Sequence, residues 1–323
     1  MNAPPSSDPG VLCAGSIVLD TIVREFTELR WGTTTFVETM DRHLGGNGAN
    51  TARALAILGN RVRLAGAVGN DDAAAFALRE LKLCDVDIED LTHVDRPNAA
   101  TIVLVNARGD RQFLHRLGSS NEVFPEPLRF TGALIEGMRH FHLASLFVLP
   151  NLRRHAPEML VRAREAGLST SLDANWDAHG EWLKVLEPCL PHIDLLFLNE
   201  DESRMLTGTT DPAKAASHLQ ARGANTVVQK LSHEGCAVYP RLHNPAVIRC
   251  FPYDVSAVDS TGAGDCFTAG FLFAFLRGAS FAEAGDHGNV AGALSVQSIG
   301  AVTGLLPASH LQEWKRTTPR RGC

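Results

Sequence analysis

The chain alternates short apolar runs with longer amphipathic stretches, and the rhythm changes character along its length. Val11 to Ile17 is an apolar run ending in small residues, which predicts a buried strand, with Asp20 just beyond, where such a strand would open onto a site. From Thr21 to His43 the pattern turns β-branched and roughly alternating, as in Thr21-Ile22-Val23-Arg24 and Thr33 to Thr39, and predicts half-exposed strands. Gly45-Gly46 breaks the chain. Ala52, Leu55 and Ala56 then carry helical spacing from Ala49 to Leu58, and Gly59 stops it. Arg61 to Val68 reads as the next strand and Asp71 to Leu83 as the next helix. Thr101 to Val105 and Arg111 to Leu117, joined by Ala107 to Asp110, read as a hairpin suited to pairing with the early exposed strands.

From His140 the order becomes strand, helix, strand: His140 to Leu146, Ala156 to Ala166, Ser169 to Asp173, Trp182 to Leu190, Leu195 to Leu198, Pro212 to Gly223 and Thr226 to Lys230. Such alternation predicts an α/β domain, a parallel sheet with helices on both faces, whose ligands gather at the carboxyl ends of the strands. The pattern divides the chain into a leader over residues 1–10 and a single domain over 11–323. A small β appendage is expected from residues 18–44 and 98–118.

Composition narrows the partners. With 323 residues, 45% of them hydrophobic, the chain can bury a substantial core. A formal net charge of -6 argues against a nucleic-acid backbone or an anionic membrane as partner and leaves a small molecule as the expectation. The seven cysteines form no CxxC pair and no Cys/His cluster at zinc spacing, which suits reduced thiols in a cytoplasmic protein. The N-terminus lacks the basic and apolar segments of a signal peptide, and the longest apolar run, Phe267 to Leu276, is about half of the ~20 residues that span a bilayer.

The chemistry concentrates in Asp259-Ser260-Thr261-Gly262-Ala263-Gly264-Asp265, followed by an apolar helix from Cys266. Two glycines around an alanine at a helix start leave backbone N–H groups uncovered at the positive end of the helix dipole, an anion site suited to a phosphoryl group. Asp265, in the same turn, is placed to accept a proton from an attacking hydroxyl. Alone, the segment is equally a tight turn with Asp265 capping the helix.

Asp259 to Asp265 resembles the C-terminal signature of the PfkB/ribokinase carbohydrate kinases, and Gly45-Gly46-Asn47-Gly48-Ala49-Asn50-Thr51-Ala52 resembles the N-terminal one. Gly15 with Asp20, Gly66 to Gly69 with Asp71, Asp173 with Asn175, and Asn199 with Glu202 also occur in the family's order, so the likeness covers roughly residues 11 to 310. The resemblance implies a ribokinase-like three-layer α/β/α fold with a small β-sheet lid. It implies an ATP-dependent kinase acting on a hydroxyl of a sugar-like substrate.

By that resemblance Asp265 is the base, and the backbone of Gly262, Ala263 and Gly264 is the anion hole. Asp20, Gly46 and Asn50 would hold the sugar hydroxyls; read alone, Asn50 could cap its helix and Asp20 could close a turn. Asn199 and Glu202 would order hydrated Mg²⁺ and the ATP phosphates, an indirect role that suits a cation reluctant to lose its waters. They are also ordinary residues for a helix N-terminus. Lys230, Ser232 and Gly235 would form the nucleotide-binding turn, where the family usually has Gly in place of Ser232, a position strained for serine if its φ is positive. Asn289 would lie near the adenine, or simply on a helix surface. Asp259, Thr261, Ser295, Ser298 and Gly300 fall where many members bind K⁺.

The lid would close over the sugar and could join two chains as a homodimer. Trp31, Phe36 and Phe113 are its candidates for facing either ligand or partner. Asp177 stands where many relatives have Arg, and a carboxylate there would repel an acidic sugar or a sugar phosphate, leaving neutral sugars, or alternatively nucleosides. A non-catalytic sugar sensor on the same fold is disfavoured because Asp265 and Gly262-Ala263-Gly264 are intact. The histidines show no metal spacing such as HExxH, and no GxGxxG follows the first strand, which disfavours a redox enzyme.

Overall fold

The structure is a computed structural model that describes residues 8–26, 29–106, 111–241 and 247–321. In chain order its elements are β1 (Gly10–Ala14), β2 (Val18–Phe26), β3 (Thr39–Gly45), α1 (Asn47–Ile57), β4 (Val62–Val68), α2 (Asp72–Leu83), β5 (Leu91–His93), β6 (Ala99–Asn106) and β7 (Arg111–Arg116). The second half runs β8 (Met138–Ala144), α3 (Pro150–Glu165), β9 (Ser169–Asp173), α4 (Leu183–Leu186), β10 (Leu195–Asn199), α5 (Glu200–Thr207), α6 (Pro212–Gln220), β11 (Thr226–Lys230), β12 (Cys236–Tyr239), β13 (Ile248–Cys250), α7 (Ala263–Phe275), α8 (Phe281–Ser295) and α9 (Ala308–Thr317).

Nine strands form one sheet in the order β13-β12-β11-β10-β9-β8-β1-β4-β5. Neighbours from β5 to β11 run parallel, and β12 and β13 return antiparallel at one edge. Strands covered on both faces tend to be apolar along their whole length, and β1 and β4 are buried throughout, with Arg63 of β4 the polar exception, paired to Asp87 at 2.6 Å. One face packs under α1, α2, α7 and α8 through residues such as Leu55, Leu81, Phe271 and Val290. The other packs under α3, α5 and α6 through Leu152, Leu160, Leu206 and Leu219.

A second, four-stranded sheet has the order β3-β2-β6-β7. Its register sets Asp20 opposite His43 and Thr101, and Thr101 opposite His115, so four polar side chains form a row on one face. The turn expected over Ala107 to Asp110 lies outside the described residues.

Three expectations are corrected. The strand expected to Ile17 ends at Ala14, because Gly15 packs against α1 so closely that a Cβ on it would lie 2.8 Å from the Gly48 Cα, while Ala49 N–H donates to Ser16 O at 3.1 Å. Asp20 therefore belongs to β2 of the small sheet, not to the mouth of β1. The leader expected over residues 1–10 ends sooner: Asp8 pairs with Arg277 at 3.0 Å, Asn60 Nδ2 donates to Pro9 O, and Gly10 opens β1. Residues 1–7 lie outside the described residues. The helix expected from Trp182 to Leu190 is one α turn followed by a 3₁₀ stretch over Glu187–His192, where Pro188 and Pro191 remove backbone donors. Among the described residues no helix is long and apolar enough to cross a membrane.

Candidate active site

The anion turn starts α7. Gly262 is its N-cap with φ 72°, no side chain caps the helix, and a Cβ on Gly262 would lie 2.8 Å from the Ala301 Cα, so glycine is required on both counts. Asp265, in the first turn, is 5% exposed. Its carboxylate accepts a hydrogen bond from Asn47 Nδ2 on one oxygen and from Asn50 Nδ2 on the other, both at 2.8 Å. Burial, then the charge of Asp173, push its pKa up to about 6, while the two amides and Lys230 pull the other way. A base so tuned is still ionised near neutral pH.

Both asparagines stand in the first turn of α1, whose N-cap Gly46 has φ 90°. A Cβ on Gly46 would lie 2.5 Å from Ser16 O, so only glycine lets α1 start there. Asn50, expected to hold substrate, donates its amide N–H to Asp265, and its Oδ1 is buried with no partner among the described residues. One carboxamide thus fixes the base and still offers an acceptor beside it. Asn47 lies inside the motif but was not singled out, since nothing in the sequence says which asparagine reaches a carboxylate 218 positions away.

Beside the turn, Lys230 Nζ lies 2.6 Å from Asp173 Oδ2, and Thr268 Oγ1 of α7 donates to the same oxygen at 3.0 Å. A Cβ on Gly264 would approach Lys230 Nζ to 3.2 Å, so the ammonium sits directly against the anion turn. Burial disfavours its charge, but Asp173 and Glu202 hold its pKa above the ordinary lysine value. Glu202 and Asn199 form a capping box: Asn199 Oδ1 accepts from Glu202 N at 2.8 Å and Glu202 Oε2 accepts from Asn199 N at 2.9 Å. Burial pushes Glu202 up to about 7 against the pull of Lys230. Asp173, Glu202 and Asp265 together outnumber Lys230, leaving a surplus of negative charge when all are ionised.

A cavity of about 450 Å³ lies on the outer side of the turn, lined by Lys230, Ser232, Gly235, Ala263, Gly264 and Asn289 with Tyr253, Phe267 and Val296 as apolar walls. Ser232 adopts φ 51°, the left-handed conformation that makes serine strained here, and Gly235 adopts φ 84°. Asn289 is 7% exposed and donates to the carbonyls of Cys250 and Phe251, so the helix-surface reading is wrong.

Asp259 is buried; Oδ1 accepts from Thr261 N and Oγ1 at 3.1 and 2.8 Å, and Oδ2 accepts from Gly300 N at 3.1 Å. Arg24 of β2 reaches the same Oδ2 at 3.4 Å, tying the small sheet to this loop. Ser295 Oγ donates to Gly292 O, and Ser298 N donates to Ser295 O, so both serines also brace their own turn. Asp20 packs over Gly45, and burial pushes it up to about 6 against a hydrogen bond from Thr101. Thr101 and His115, 3.0 Å apart, complete the row; their place beside Asp20 depends on strand register, which the sequence does not fix. Trp31 and Phe36 are nearly fully exposed, at 103% and 90%, and Phe113 lies in the same face of β7 as His115.

The repulsion expected from Asp177 is corrected. Its side chain is buried, pairs with Arg153 at 2.8 Å and accepts from the backbone N–H groups of His179 and Trp182. It closes its own loop and presents no charge to a substrate.

A sequence profile of the pfkB family carbohydrate kinases matches residues 9–308. The chain is 27% identical to a 2-dehydro-3-deoxygluconokinase of Bacillus subtilis, over 83% of this chain and 85% of that one. It is 28% identical to a nucleoside kinase of Methanothermobacter thermautotrophicus, over 93% of each. The structure of Arabidopsis thaliana ribokinase complexed with ribose and ATP superposes with a TM-score of 0.81 at 23% identity, covering 95% of this chain and 98% of that one, which speaks to the fold alone. With nearly its whole length matched, the chain belongs to the pfkB family of ATP-dependent carbohydrate kinases.

Proposed function

We propose that the protein transfers the γ-phosphate of ATP to a hydroxyl of a small neutral sugar, with Asp265 as the base. The observation that carries this reading is the buried Asp265 carboxylate, gripped by Asn47 and Asn50 at the open end of α7. Asp265 takes the hydroxyl proton as the oxygen attacks the γ-phosphorus, and the first N–H groups of α7 receive the charge on the phosphoryl oxygens. Lys230, against Gly264, adds a positive charge at the same place. Asp20 and the open Oδ1 of Asn50 accept from sugar hydroxyls. ATP occupies the cavity between Gly264, Ser232, Gly235 and Asn289.

The surplus negative charge around Glu202 fits a magnesium ion brought with the ATP phosphates, although no group of three or more His, Cys, Asp or Glu forms a ready metal site among the described residues. Bound there, the ion would neutralise phosphate charge, with Glu202 and Asn199 holding its waters. K⁺ fits less well: Arg24 already brings a positive charge to Asp259, and no step is assigned to a monovalent cation.

The small sheet serves as a lid on the single domain. Its outer face exposes Met40, Ile102 and Leu114, which supports a homodimer through that face. The expected location is the cytoplasm. With Asp177 turned inward, the preference for a neutral substrate rests on Arg24 and Arg153 being already paired with acidic groups. A nucleoside is the second reading, favoured by Phe113 on the lid face that carries Asp20. ADP release measured across pentoses, hexoses, sugar acids, sugar phosphates and nucleosides tests the choice. Turnover is expected with a neutral sugar, and selective turnover of a sugar acid or phosphate would overturn it.

A further inference from the structure

We infer that Cys236 and Cys250 form an oxidisable dithiol that governs the nucleotide cavity. The two residues stand directly opposite each other on the antiparallel strands β12 and β13. Residues so paired have Cα atoms about 4.5–5.5 Å apart and side chains on one face, inside the window of about 4.4–6.8 Å that a disulfide bridges. Both sulfurs press on the same helical position: a Cβ on Gly285 of α8 would lie 2.6 Å from Cys250 Sγ and 3.1 Å from Cys236 Sγ. Both are free thiols, and β13 is the last strand of its sheet, so edge opening gives an oxidant its route. Cys236 Sγ donates to Gly285 O and Cys250 Sγ donates to Ala282 O, and Cys250 stands on the edge strand itself, where an oxidant arrives first, which makes Cys250 the attacking partner.

The oxidant is hydrogen peroxide or an equivalent two-electron peroxide. The Cys250 thiolate attacks one peroxide oxygen, the O–O bond breaks, and a sulfenic acid and hydroxide result; the hydroxide takes up the proton that the Cys250 thiol released and becomes water. The Cys236 sulfur then attacks the sulfenyl sulfur; the S–S bond forms, the S–O bond breaks, and hydroxide leaves with the Cys236 proton as water. Two thiols and one peroxide give one disulfide and two waters.

The link lies under the cavity floor. Gly235, which lines the cavity, immediately precedes Cys236 and packs against the Cys250 carbonyl, while Asn289 donates to that same carbonyl at 2.9 Å. Drawing the two strands together therefore moves Gly235 and Asn289 at once, and nucleotide affinity falls.

The test treats the reduced full-length protein with one equivalent of hydrogen peroxide, alkylates the remaining thiols and maps peptides without reduction. A cross-link joining Cys236 to Cys250, lighter by two hydrogens and absent from Cys236→Ser and Cys250→Ser, is the expected result, and it is read by mass alone, whatever the kinase acts on. Calorimetry should then show ATP binding weakened by roughly threefold or more in the linked protein and restored by dithiothreitol. Oxidation that leaves these two sulfurs unlinked overturns the dithiol, and a link that leaves ATP affinity unchanged overturns its control of the cavity.

Discussion

Asp265 depends on neighbours that come from the other end of the chain. Its pKa near 6 places it on the ionised side at neutral pH, so kcat at saturating ATP and sugar should fall below pH 6 with a one-proton slope. For the sugar kcat/KM the same limb should steepen, because Asp20 is also pushed up to about 6 and accepts from hydroxyls more strongly when ionised. Asn47→Ala removes a bond to the charged form, so the kcat limb should move above pH 6; a pH–rate profile reads it, and an unmoved limb would deny Asn47 its role. The motif residues Gly46, Gly262 and Asp265 were legible because each local sequence dictates its own turn. The Asp173–Lys230 pair was not, since it joins the ends of two strands 57 positions apart.

At the scale of elements, β1, β4 and β10 were readable as largely apolar runs, the mark of burial on both faces, whereas β8, β9 and β11, which carry polar residues such as His140, Ser171 and Gln229, were readable from the alternation of strand and helix. Short β5, β12 and β13 escaped, being three or four residues each with no period to detect. The start of α7 is the element on which transfer rests. Gly262→Ala places an L-residue in a left-handed position, costing about 1–2 kcal/mol, and drives its Cβ into Ala301. The expected outcome is a lowered melting temperature together with a kcat reduced roughly 10²-fold or more, as for loss of an oxyanion donor. A stable, fully active variant would show that the turn does not need this shape.

For the whole molecule, alternation in the sequence led to the α/β architecture, but the meeting of the two sheets was hidden, because it turns on Arg24 of β2 reaching Asp259 from 235 positions away in the chain. If that contact holds the lid to the catalytic loop, Arg24→Ala should weaken closure by roughly 1 kcal/mol, the scale of a partly exposed ion pair and about fivefold in the sugar KM. Steady-state kinetics with varied sugar would reveal it, with the ATP KM little changed. The central claim is that Asp265 is the base of an ATP-dependent transfer, and ADP release by wild type and Asp265→Asn, alongside calorimetric ATP binding, tests it most directly. Turnover should fall by roughly 10²-fold to 10⁴-fold while ATP binding persists; near-normal turnover by Asp265→Asn would contradict the account.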